Sequence, residues 1–362
     1  MSTLFAQFPG LKTGLPHLPL GAFPTPVQKL ERFGRDLGLA HLYIKRDDLS
    51  ARLYGGNKIR KLEFVLGSAL RNRAREVITF GCAGSNHALA TAIYARQTGL
   101  KSVSMLLPQP NALSVRGNLL AQHYFGAELH HYENEKLLKT DLDEALHRHK
   151  GKGLPAPEVI PAGGSSVLGA AGFVGAGFEL RSQVEEGLIP EPDLIYVASG
   201  TMGTCVGLKL GLKAAGLMTQ VVPVRVAGLK FSNEKKMMAF YGEISSLLHS
   251  ADPSFPELGL PEGDAGLRHD FFGAEYARFT KEGNRAVMYM KEKQGIRLEG
   301  TYTGKTLAAL IHDAQRQELK HKVVLFWNTY NSRPLPEEIS AVDYRELPEG
   351  FHRYFKEDVQ EL

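Results

Sequence analysis

The stretch Val77-Ile78-Thr79-Phe80-Gly81-Cys82-Ala83-Gly84-Ser85-Asn86-His87 runs from a short apolar segment, through two glycines, into a serine and asparagine that open a helical pattern. A buried strand, a tight turn and a capped helix follow from that order. The same grammar recurs in both directions. Apolar runs at 103–107, 194–197, 221–226 and 323–326 read as buried strands bounded by Gly, Pro or polar residues. Between them, 87–98, 113–125, 138–149, 204–215 and 305–315 have the length and spacing of helices. Ile59, Leu62, Val65, Leu66 and Ala69 also share one helical face. Such alternation predicts an α/β fold in which helices cover both faces of mainly parallel sheets.

A chain of 362 residues favours one large or two medium α/β domains. Apolar residues make up 43% and charged residues 23%, which argues against disorder. The net charge of +4 is spread without a basic block, so neither nucleic acid nor a membrane surface is an expected partner. Cys82 and Cys205 are far apart and match no metal-ligand spacing, as in a protein of a reducing compartment. No apolar run is long enough to span a bilayer, and the first residues carry no signal-peptide pattern. A cytoplasmic protein is the expectation.

Four short segments carry the chemistry. In Tyr54-Gly55-Gly56-Asn57-Lys58-Ile59-Arg60-Lys61-Leu62-Glu63, a lysine opens a helix. The helix N-terminus is already positive, which lowers the cost of the neutral amine that a nucleophilic or Schiff-base lysine needs. Taken alone, the same lysine reads more readily as a solvated cation in a basic stretch. Gly84-Ser85-Asn86-His87 is either a plain helix cap or an anion site fit for a substrate carboxylate. Ser199-Gly200-Thr201-Met202-Gly203-Thr204 follows a strand and precedes a helix, the arrangement of a phosphate cradle or simply of a tight turn. It lacks the P-loop lysine and the three-glycine dinucleotide fingerprint. In Leu298-Glu299-Gly300-Thr301-Tyr302-Thr303-Gly304-Lys305, Thr303 is a candidate N-cap and Tyr302 a candidate core residue.

Their order and spacing resemble the pyridoxal-phosphate family that contains D-cysteine desulfhydrase and 1-aminocyclopropane-1-carboxylate deaminase. The resemblance rests on Pro24-Thr25-Pro26-Val27, Lys45-Arg46-Asp47-Asp48-Leu49, Gly55-Gly56-Asn57-Lys58, Ser85-Asn86-His87 and Gly163-Gly164-Ser165. The phosphate loop, Gly273-Ala274-Glu275-Tyr276 and Tyr302-Thr303-Gly304-Lys305 extend it to about residue 305. It implies the two-domain, open parallel-sheet, tryptophan-synthase-β-like fold (fold type II), with a small α/β domain at 52–163 and a large cofactor-binding domain at 1–51 and 164–362. It also implies a homodimer and pyridoxal 5'-phosphate as cofactor. Lys58 would hold the cofactor covalently and act as general base, with Asn57 and Asn86 on its phenolic oxygen. Thr201, Met202, Gly203 and Thr204 would hold the phosphate. Ser85, Asn86 and His87 would take the carboxylate of a small amino-acid substrate, Ser85 also serving proton transfer. Tyr276 and Tyr302 would exchange protons in the pocket, and Thr303 would sit against the pyridine nitrogen.

A hydroxyl beside that nitrogen, where the deaminases look as if they use glutamate, favours β-elimination to a 2-oxo acid and ammonia. D-cysteine desulfhydrase is therefore the activity the resemblance points to, with ring opening of 1-aminocyclopropane-1-carboxylate to 2-oxobutanoate as the alternative. The chain departs from the family pattern in three places. Met202 replaces a glycine, Glu299-Gly300 stands for Asp-Pro, and Trp327-Asn328-Thr329-Tyr330-Asn331 stands where the pattern runs closer to His-Thr-Gly-Gly. A pocket closed by the last segment would leave a non-catalytic cofactor-binding protein. A nicotinamide-dependent dehydrogenase draws only on the α/β pattern.

Overall fold

The computed structural model describes residues 3–261 and 263–362. Among these residues, nine strands, β1 (Val27–Lys29), β2 (Leu42–Lys45), β3 (Glu76–Cys82), β4 (Lys101–Leu107), β5 (Glu128–His131), β6 (Glu158–Ile160), β7 (Leu194–Ser199), β8 (Gln220–Arg225) and β9 (Val324–Trp327), form two sheets. The larger runs β1-β2-β9-β7-β8 and the smaller β5-β4-β3-β6. Every pairing is parallel except β1 with β2. All four residues of β9 are buried, which is why this segment reads as a continuous apolar run rather than an alternating one. Strand β2 is buried throughout as well, but it ends in Lys45 and its sequence pattern does not predict a strand. The smaller sheet is drawn wholly from residues 76–160.

The helix Val167–Glu185 joins the layers through its glycines. A Cβ on Gly172 would stand 1.9 Å from the Arg60 carbonyl oxygen, and one on Gly207 would stand 2.4 Å from the Ala170 carbonyl oxygen. The helices Lys58–Arg71 and Gly203–Ala214 therefore press directly onto its backbone. Lys58 and the residues after the 199–202 turn are held to a common rigid element by this contact.

Beside that contact lies a fully buried ionic cluster. Arg60 donates to Asp47 (2.8 and 2.9 Å) and to both oxygens of Glu179 (2.9 Å each). Lys45 Nζ donates to Glu179 at 2.6 Å, and the Trp327 indole N–H reaches Asp47 at 2.8 Å. Burial alone would raise the Glu179 carboxyl, but Arg60 and Lys45 outweigh it and hold it down to about 2. Charges buried in this way are tolerated only as a complete set. Substituting Arg60→Leu should strand Asp47 and Glu179 and cost about 3–5 kcal/mol in denaturant unfolding. Breaking the exposed Arg353–Glu357 pair should cost about 1 kcal/mol or less.

Candidate active site

A cavity of about 1460 Å³ opens where the C-terminal ends of β3 and β7 meet the start of the helix Lys58–Arg71. Of the residues singled out from sequence, Asn57, Lys58, Ser85, Asn86, His87, Thr201, Met202, Thr204, Tyr276 and Tyr302 line it. Gly203 and Thr303 stand behind its wall.

Lys58 is the first residue of its helix. Surrounding protein strips water from its amine and lowers it to about 8, against the pull of the Glu299 carboxylate. Lys61, one turn on, is also held well below the ordinary lysine range by burial and then by Lys58. The two amines differ in their engagement. Lys61 Nζ donates to the Gly163 carbonyl (3.1 Å) and to Ser165 Oγ (2.9 Å), whereas Lys58 has no such tie among the described residues. Lys58 is thus the amine free to react.

Lys61 underpins the 201–204 turn. Ser165 Oγ bonds Thr201 Oγ1 at 2.7 Å and accepts from the Gly203 N–H at 3.3 Å. A buried lysine amine, which an anion would help to protonate, beneath a serine–threonine turn at the start of the helix Gly203–Ala214 is a place for a phosphate. Sequence reading passed over Lys61, because on a helical wheel it belongs to the polar face. Met202 occupies the turn with φ +64°, the left-handed conformation that glycine adopts freely. Its side chain is buried, so methionine adopts the glycine geometry at a strain on the order of 1 kcal/mol.

On the opposite wall, Ser85 caps the helix Asn86–Gln97 by accepting from the Ala88 N–H. Asn118 Nδ2 donates to Asn86 Oδ1 at 2.9 Å, which leaves the Asn86 amide N–H groups for a ligand. Both ring nitrogens of His87 are buried without a partner among the described residues. Burial, then Lys58 and Lys61, keep this ring neutral. The hydroxyls of Tyr276 and Tyr302 bond each other, and burial raises both well above the ordinary tyrosine range.

The region of Thr303 differs from the sequence expectation. The helix starts at Thr303 itself with Tyr302 at the N-cap position, and the Glu299 carboxylate serves the helix start, accepting the N–H groups of Thr301 (2.8 Å), Tyr302 (2.7 Å) and Thr303 (2.9 Å). Glu299 lines the cavity, and sequence reading gave it no role. Its spacing to Tyr302 and Thr303, with a run of backbone donors at a helix start, was the available signal. The divergent 328–331 segment backs the glycine turn: Asn331 Oδ1 accepts from the Gly55 N–H (2.7 Å), and Asn57 N–H donates to the Thr329 carbonyl (3.1 Å). A Cβ on Gly56 would lie 2.9 Å from that carbonyl. The cavity stays open with Tyr330 in its wall.

Known proteins resemble this chain in sequence and fold. The sequence family described as "Pyridoxal-phosphate dependent enzyme" matches residues 18–329. A Pyrococcus horikoshii protein, provisionally named 1-aminocyclopropane-1-carboxylate deaminase, is 35% identical over 85% of this chain and 90% of its own. The D-cysteine desulfhydrase of Klebsiella pneumoniae is 35% identical over 88% of this chain and 94% of its own. The crystal structure of a homologue of 1-aminocyclopropane-1-carboxylate deaminase superposes with a TM-score of 0.77 at 32% identity, over 91% of this chain and 95% of that one.

Because Lys58 is depressed to about 8, it is half neutral near that pH, where an ordinary lysine is almost wholly charged. Trinitrobenzenesulfonate modification of the cofactor-free protein, followed peptide by peptide, should show Lys58 reactivity reaching half its maximum near pH 8 and levelling off about one to two pH units above that. Surface lysines should still be rising above pH 10.

Proposed function

The chain belongs to the pyridoxal-phosphate-dependent enzymes, and we propose that it converts a small amino acid to a 2-oxo acid and ammonia by β-elimination, with D-cysteine as the leading substrate. One observation carries this reading: an untied amine, Lys58, shares a cavity with a phosphate cradle and with an anion site at Ser85–His87. The residues suit the cofactor. Its phosphate matches the 201–204 turn with Lys61 beneath it, and a phenolic oxygen matches the Asn57 and Asn86 amides. The partnerless His87 nitrogens and the helix start at Ser85 suit a substrate carboxylate. When bound, the cofactor supplies an electron-accepting ring conjugated to the substrate nitrogen.

The protein's own residues handle protons and position. Lys58 Nζ takes the proton from the substrate α-carbon. As the carbon–sulfur bond breaks, sulfide leaves with the bonding electrons and takes a proton from the Tyr276–Tyr302 pair or from Ser85. Both tyrosines are held protonated by burial, as donors must be. The released enamine adds water to give pyruvate and ammonia. Residues 52–163 form the small domain in this reading, with 1–51 and 164–362 as the large one, and closure of the small domain would exclude water from the charged intermediate. A cytoplasmic homodimer is the expected setting, supported by two free cysteines and the prevalence of two-fold oligomers. Among the described residues, no helix is long and apolar enough to cross a membrane.

Purified protein offered D-cysteine should release sulfide and pyruvate, and Lys58→Ala should lose about 10²–10⁴-fold or more of that rate. Release of 2-oxobutanoate from 1-aminocyclopropane-1-carboxylate, without sulfide from D-cysteine, would replace this substrate with the ring-opening one. A protein that binds the cofactor and turns over neither compound would end the catalytic claim.

A further inference from the structure

Glu299 is a carboxylate inside the cavity to which neither the sequence reading nor the proton steps above give a task. Thr301, Tyr302 and Thr303 donate backbone N–H groups to it. Oε1 takes two of these and Oε2 only one, so a carboxylate with roughly four acceptor positions keeps an open one on Oε2. No lysine, arginine or histidine pairs with it among the described residues. Thr303, by contrast, is spent. Its hydroxyl accepts the Glu299 N–H at 2.9 Å and donates toward the Glu299 carbonyl and Oε1, each 3.3 Å from Oγ1. Thr303 has 1% of its surface exposed and is not among the residues that line the cavity, whereas Glu299 is.

The chemistry of the cofactor fixes what should face such a group. Its ring nitrogen lies across the ring from the aldehyde carbon that Lys58 must reach. Glu299 is the acid that Lys58 senses through the cavity. We infer that Glu299, and not Thr303, is the hydrogen-bond acceptor for the cofactor's ring nitrogen, and that it keeps this nitrogen protonated. The inference rests on the pyridoxal-phosphate reading above. Burial pushes the Glu299 carboxyl up from its ordinary value, against its three backbone donors, so a partner that brings a proton relieves the site. The other titratable groups around it are Lys58 and Lys305, with Tyr54, Tyr276, Tyr302 and Tyr330. Lys305 is turned away, its Nζ donating to the Phe272 carbonyl at 2.6 Å. A protonated ring draws charge from the substrate carbon more strongly than a neutral one. The site would then be suited to substrates without a good leaving group as well as to D-cysteine.

The test loads the full-length protein with ¹⁵N-labelled pyridoxal 5'-phosphate and reads the ring-nitrogen chemical shift near neutral pH. Wild type should give a pyridinium shift. Glu299→Gln, which keeps an acceptor oxygen for the helix cap, should move it most of the way to the neutral-pyridine value, and Thr303→Val should leave it in place. A neutral nitrogen in loaded wild type would overturn the inference, as would a shift that follows Thr303→Val and ignores Glu299→Gln. If Glu299→Gln does not fold, wild type and Thr303→Val decide between the same outcomes. Wild type that takes up no cofactor would instead overturn the assignment of Lys58, and this inference with it.

Discussion

One amine kept out of water is the constraint around which this protein is built. Lys58 stands at the first turn of a helix, where the backbone is already positive, and in a cavity that lowers its amine to about 8. Such an amine gains nothing for stability; the rest of the fold has to hold it there. The Gly172–Arg60 contact pins its helix to Val167–Glu185, and the Arg60, Asp47, Glu179 and Lys45 cluster locks that junction with charges that persist only together. The same helix bears on Gly203–Ala214 through Gly207, so amine and phosphate turn are fixed to one body.

Much of this was legible in the chain. Parallel strands flanked by helices announce themselves as short apolar runs because both faces are covered, and the turns after β3 and β7 carry glycine, serine and threonine where backbone donors are needed. The helix Val167–Glu185 was not legible. Its glycines lower helix propensity and blur the apolar face, yet they are there so that two neighbouring backbones can approach. The short strands β1, β2, β5 and β6 were not legible for a different reason: three or four residues give no period to count.

The site shows the same division. Lys58, the Ser85–His87 cap and the 201–204 turn are local patterns, and they converge on one cavity. Lys61 and Glu299 depend on what lies across the cavity or one turn away, which no local pattern records. Met202 shows how a departure from pattern can leave geometry intact, since methionine here takes up the left-handed turn itself. The 328–331 segment is a second case. Its asparagine and carbonyl bonds support the glycine turn before Lys58, so the stretch that departs from the family pattern forms part of the pocket's frame.

The central claim is that Lys58, and not its buried neighbour Lys61, carries the cofactor. Borohydride reduction of the cofactor-loaded protein, followed by proteolysis and mass mapping, addresses it directly. The expected result is one phosphopyridoxyl group, on Lys58. A label on Lys61 or a surface lysine, or cofactor lost completely on unfolding after reduction, would contradict the account.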